Sequence, residues 1–279
     1  MIRGFWQSRL TVCVSAGVTA ALSLAIWIHD RGRPVYIPLM ATAFLMVFGV
    51  FAGLLAGKLV ADNLNTRCLS LLHMELDPQA FLRSYEKVMK KLRRGTKEYA
   101  LACSYLAEGY GAAGEFGRAT DILRSGFQGR ECDNQALKGL YFYSLASFAL
   151  SGGRTDEAKE AILQLEHGVS DSRKTNPKLA ANLEENRILC QNRLACLTGE
   201  PVDEKWMKEQ LKRNPFALRR LEILRALAEQ AMDGGRRADA LAYLDQMDKQ
   251  AGKTWYRLWS GQMRQKLNAF KGEEENEKI

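Results

Sequence analysis

Apolar residues follow two regimes along this chain. From Leu10 to Ile28 there are 19 residues without a formal charge, and from Val35 to Gly57 another 23. Beyond that point apolar positions recur three and four residues apart. Each uncharged run is long enough to cross about 30 Å of hydrocarbon as a helix, which satisfies its own backbone where water is missing. Trp6, Trp27 and Tyr36 lie at the run ends, where amphipathic rings favour the interface. The pattern predicts two spanning helices, about 10–28 and 35–57, joined by a tight turn from His29 to Pro34. A cleaved signal peptide is the competing account of the first run, because Arg3 and Arg9 precede it and Ser23-Leu24-Ala25 has a small-x-small spacing. The length of the run and the second apolar segment directly behind it favour the hairpin.

After Gly57 the period is helical and no convincing strand alternation occurs. Asp77-Pro78, Asn176-Pro177 and Asn214-Pro215 each put a capping side chain before a proline suited to a first turn, and Thr96, Thr155 and Asp203 are further caps. Gly95, Gly168 and Gly252 read as helix ends. The signals predict helices near 58–76, 78–94, 97–112, 115–127, 134–151, 155–167, 177–197, 203–213, 215–233, 236–249 and 254–270. The fold class is therefore all-α.

One spacing recurs within that helical stretch. Leu106-Ala107, Tyr110, Gly114, Ala119 and Leu123 are matched by Leu145-Ala146, Ala149, Gly153, Ala158 and Ile162, and again by Leu227-Ala228, Ala231, Gly235, Ala240 and Leu244. Small residues on both arms let two helices approach, and the glycine permits the left-handed turn between them. These residues resemble the tetratricopeptide repeat (TPR), a helical pair of about 34 residues, over roughly residues 97–250. Ala149 and Ala231 stand where the first window has Tyr110, and the glycines lie 39 and then 82 residues apart, so the array is irregular. A degenerate pair turning at Gly199 fills the gap; an α-solenoid of another kind fits the same pattern. Trp255, Leu258, Trp259, Met263, Leu267 and Phe270 form the apolar stripe of a capping helix, followed by an acidic tail. The resulting order is a transmembrane hairpin (1–57), juxtamembrane helices (58–96), TPR-like repeats (97–250) and a cap with tail (251–279).

Charge and chemistry narrow the function. The six charges flanking the spans (Arg3, Arg9, Arg31, Arg33, Lys58 and Arg67) do not decide the orientation. Between Arg83 and Lys97, however, seven Lys/Arg oppose one glutamate, and the five cysteines after the spans (Cys68, Cys103, Cys132, Cys190, Cys196) have no disulfide-framework spacing. Both termini and the soluble part are therefore placed in the cytoplasm, with the hairpin in a bacterial cytoplasmic membrane. Gly49, Gly53 and Gly57 stack on one face of the second span, either to pack within the hairpin or to form a homo-oligomer seam. Arg83, Lys87, Lys90, Lys91 and Arg94 form a basic stripe, either simply solvated or facing anionic lipid. A net charge of +8 without aromatic interleaving does not suit nucleic acid.

Neither CxxC, GxSxG, GxxxxGK[ST] nor HExxH occurs, and no histidine has metal-ligand spacing, so no catalytic, cofactor or metal residues are assigned. The resemblance implies a partner groove lined by outward residues of each first helix: Ser104, Glu108 and Gly111; Tyr143, Ser147 and Leu150; Arg225, Glu229 and Met232. These lack the paired Lys and Asn with which some family members hold a peptide carboxyl terminus. The expected role is a membrane-anchored interaction module recruiting a peptide or protein, or alternatively an assembly subunit of a larger membrane complex joined through the glycine face.

Overall fold

The computed structural model describes residues 2–29, 36–90, 92–127 and 134–276, and every regular element among them is an α-helix. The chain divides into a first unit, residues 1–70, and a second, residues 71–279.

The first unit contains α1 (Ile2–His29) and most of α2 (Tyr36–His73). Most of the expected turn, residues 30–35, lies outside the described residues. Helices expected separately at 35–57 and 58–76 are one, because Gly57 alone costs a helix only about 1 kcal/mol and no proline follows it. Within α2, Leu39–Ala56 is long and apolar enough to cross a membrane. Only 11% of that window is buried, and Phe44 and Val47 keep 71% and 72% of their surface, so it is unlike the core helix of a soluble domain. The described apolar stretch of α1, Cys13–His29, is shorter.

The small residues of the two helices meet. Ser15 Oγ donates to the Gly49 carbonyl at 2.6 Å, and a Cβ at Gly49 would lie 2.0 Å from Thr19 Oγ1. Gly53 is also buried, while the surroundings of Gly57 lie outside the described residues.

In the second unit α3 (Pro78–Met89) starts at Asp77, whose carboxylate accepts from the Ala80 N–H. There follow α4 (Lys97–Ala112), α5 (Phe116–Gly126), α6 (Gln135–Ser151), α7 (Thr155–Thr175) and α8 (Pro177–Thr198). The last four are α9 (Glu204–Arg213), α10 (Ala217–Asp233), α11 (Arg237–Gln250) and α12 (Trp255–Asn276). Thr96, Asn176 and Asp203 cap α4, α8 and α9 as expected. Two caps fall elsewhere. Asn214 closes α9 and accepts from Phe216 N–H, so α10 begins two residues past Pro215, and Arg154 precedes Thr155 at the head of α7. Nor does α7 end near Gly168, because Val169 and Ser172 keep its buried face going.

The three recurrent windows adopt the same turn. Gly114, Gly153 and Gly235 have φ of +86°, +72° and +68°, and the following N–H bonds back five residues, to Tyr110, Ala149 and Ala231, at 2.8–2.9 Å. Gly199 repeats this bond, from Glu200 N–H to Ala195 O at 2.9 Å, with φ +71°. Each is the six-to-one bond that ends a helix on a left-handed glycine. All fifteen apolar window positions, from Leu106 to Leu244, are buried, which is what a close helix pair needs. Pairs form between α4 and α5, α6 and α7, α7 and α8, and α10 and α11; α6 also touches α4 and α8, and α10 touches α8 and α9, so the pair expected to turn at Gly199 is corrected: α8 packs on α7 rather than on α9.

The segment leading into α12 returns to the start of the second unit. Lys253 N–H donates to Leu76 O at 2.9 Å, Lys253 Nζ meets the Asp77 carboxylate at 2.5 Å, and Trp255 packs edge-on against Phe116 at 5.0 Å. The expected apolar stripe of α12 is rotated as a consequence: Tyr256 and Trp259 are buried, while Leu258 is 68% exposed. Phe270 lies among residues whose side chains are not described.

Candidate partner groove

Three helices far apart in sequence turn one face toward a common interior. On α6 the period places Tyr143, Ser147 and Leu150 together; on α10 it aligns Glu222, Arg225 and Glu229; on α4 it aligns Ser104, Glu108 and Gly111. Gly111 is there because a Cβ would lie 2.5 Å from the Phe148 ring of α6.

The nine residues expected to line an open groove divide into two groups. Ser104, Gly111, Ser147, Leu150 and Arg225 are buried, a correction to the open groove: Phe148 of α6 fills the space beside Gly111, Arg193 of α8 and Glu222 of α10 bond Ser147, and Trp255 and Trp259 of α12 lie against Arg225. Glu108, Tyr143, Glu229 and Met232 remain partly open.

The buried group is organised by two residues the sequence reading did not select. Glu222 accepts from Tyr143 Oη at 3.0 Å and Ser147 Oγ at 2.6 Å. Arg193 of α8, 4% exposed, donates to Ser147 Oγ and Ser151 Oγ, each at 2.8 Å, and lies 3.5 Å from Glu222. Such a charge pair is tolerated inside a protein only because hydrogen bonds take up the remaining donors and acceptors. Burial and the Glu222 carboxylate together hold the Tyr143 phenol well above its ordinary value. Arg193 carried a signal, since it is a lone charge among Leu189, Cys190, Ala195 and Cys196; Glu222 shares its stripe with Arg225 and Glu229. Arg225 bonds Glu229 at 2.7 Å and lies over the rings of Trp255 and Trp259 at 5.0 and 5.3 Å, a cation–π arrangement that ties α12 to α10.

Glu108 is different. Its side chain is 38% open, and its nearest cationic candidate is His73 Nδ1 at 3.7 Å. Desolvation and the facing Glu222 raise its carboxyl to about 8, and burial lowers His73, so near neutral pH the imidazole does not supply a positive charge. His73 meets the exposed Phe216 ring at 6.1 Å, edge-on.

The basic stripe is shorter as a helix than expected. Because α3 stops at Met89, only Arg83 and Lys87 are helical; Lys90 is the cap and Arg94 sits in the turn that Gly95 makes at φ +72°. All four are exposed, and Lys91 lies outside the described residues.

Cys13, Cys68, Cys103, Cys190 and Cys196 are free thiols, while Cys132 lies outside the described residues. Burial pushes Cys190 up to about 12, the state of an inert structural thiol and not of a nucleophile. Compared with known proteins, the chain matches no family, no curated protein and no solved structure.

Proposed function

We propose that the chain is a membrane-anchored interaction module: two spans, α1 and α2, hold a TPR-like array of helical pairs on the cytoplasmic side, where its inner face receives a segment of a partner protein. The observation that carries this reading is that Glu108 of α4 and Tyr143 of α6, both partly open, face Glu222 of α10, while Glu229 and Met232 are partly open farther along α10. The repeated glycine turns and the buried small positions support the TPR-like assignment. Exposed apolar side chains along Leu39–Ala56 support the anchor, and the free thiols of Cys68, Cys103, Cys190 and Cys196 suit a reducing compartment.

Contact between Gly49 and Thr19 favours packing inside the hairpin over an intersubunit glycine seam, so recruitment is preferred to the assembly-subunit reading. A photoreactive side chain at Met232 in native membranes is expected to capture a partner, and the same group at Leu163 on the outer helix α7 is not. Equal capture at both positions, or none at Met232, refutes recruitment through the inner face. A carboxy-terminal GFP fusion is expected to fluoresce and an alkaline phosphatase fusion to stay inactive; the opposite result refutes the orientation.

A further inference from the structure

The outward side of α3 begins the chain's densest run of positive charge. Phe81, Tyr85 and Val88 of α3 are buried, and Arg83, Lys87 and Lys90 take the opposite side of the same turns, because residues three, four and seven apart stack on one face. Arg93, Arg94 and Lys97 follow around the turn at Gly95, and all six residues are exposed. Among the described residues none of the six has a carboxylate within ion-pair distance, and Arg94 bonds the Tyr99 phenol. The nearby acids are engaged elsewhere. Glu86 accepts from Tyr110 Oη and lies 3.7 Å from Arg118, and the Asp77 carboxylate holds Lys253 Nζ at 2.5 Å. The next acid along the chain is Glu98, exposed in the first turn of α4.

We infer that this basic face docks on anionic phospholipid headgroups of the membrane that holds the chain. The inference rests on the anchored reading and is independent of the inner face. Lysines and arginines without carboxylate partners keep their full attraction for a negative surface, and each gains about fivefold in occupancy close to one. The chain enters the second unit directly from the apolar helix α2, so docking is intramolecular and the lipid is present at high effective concentration. Phe81 and Tyr85 stack on each other at 4.8 Å on the buried side, so the basic side of α3 offers no ring to a nucleic-acid base. Separate cationic heads on long flexible stems suit a fluid layer of phosphates, which asks for charge and not for a fixed register.

The test places the full chain in nanodiscs of phosphatidylcholine, alone or mixed with phosphatidylglycerol. A fluorescent coumarin amino acid replaces Gln79, exposed one turn before Arg83, and a nitroxide is carried on the lipid headgroup. Quenching is expected to rise when phosphatidylglycerol is present and to vanish at about 1 M salt, where the screening length is about 3 Å. Arg83→Gln/Lys87→Gln/Lys90→Gln, with an unchanged circular-dichroism spectrum, is expected to lower the docking constant about a hundredfold, about fivefold for each charge. Lys205→Gln/Lys212→Gln/Arg213→Gln removes as many exposed charges from α9 and its end and is expected to leave quenching unchanged. Equal quenching with and without phosphatidylglycerol, or equal loss in the two variants, overturns the inference and leaves anchoring and recruitment standing. A chain that does not co-elute with nanodiscs overturns the anchor and the inference together.

Discussion

Replacing Arg193 by methionine tests the interior most directly. The guanidinium is 4% exposed and donates to Ser147 Oγ, Ser147 O and Ser151 Oγ while facing Glu222, whose side chain is 14% exposed. Methionine fills much of the volume but returns none of those hydrogen bonds, and it strands the Glu222 carboxylate with only Tyr143 and Ser147. Removing one partner of a buried pair costs about 3–5 kcal/mol, whereas replacing both by neutral groups is often nearly neutral. Arg193→Met alone should therefore cost about 4 kcal/mol, and at roughly 3 °C per kcal/mol for a unit of this size the midpoint falls by about 12 °C. Arg193→Met with Glu222→Gln should recover at least about 1.5 kcal/mol relative to the sum of the single changes. The assay is thermal and urea unfolding of the full chain in detergent, followed by circular dichroism, for the wild type and the three variants. Strict additivity, or a loss below about 1 kcal/mol for Arg193→Met, would falsify the coupled-pair account.

Other consequences follow from local geometry. Gly153→Ala and Gly235→Ala place a Cβ at φ +72° and +68°, where L residues are strained by about 1–2 kcal/mol, so both should lower the unfolding midpoint; Gly117→Ala, in an exposed helical position, should raise it. Gly49→Leu should separate α1 from α2, read as faster amide exchange in both helices, and unchanged exchange would contradict their packing. In stability against pH, two groups act with opposite sign. Glu108, raised from 4.5 to about 8, binds its proton more tightly when folded, so its contribution falls as pH rises through that interval. His73, lowered from 6.5, adds stability as pH rises toward 6.5. Between about pH 6.5 and 8 only the Glu108 effect remains, and Glu108→Gln should flatten the decline there; an unchanged slope rejects the assignment.

Much of the helical layout is local physics and is legible along the chain. The bounds expected for α4, 97–112, are those observed, because Thr96 caps one end and a left-handed glycine ends the other. Where expectation and structure differ, tertiary contact wins: α7 runs past Gly168 because Val169 and Ser172 have a surface to bury against, and Leu258 is exposed because Tyr256 and Trp259 take the inner side of α12. The inner face was only half legible. Periodicity selected Glu108, Tyr143, Ser147 and Arg225, but which of them stay open depends on what covers them, and that cover comes from α8, α10 and α12.

By itself, then, the sequence determined the long apolar segment, the helix periods and the glycine turns, since each depends on composition, sterics and hydrogen bonds within a few residues. Only the tertiary structure decided that Glu222 meets Tyr143 across 79 residues and that Lys253 meets Asp77 across 176. A charged side chain carries no mark of its future burial: whether it ends in water, in a neutralised pair or as an unmatched carboxylate depends on partners brought by remote helices.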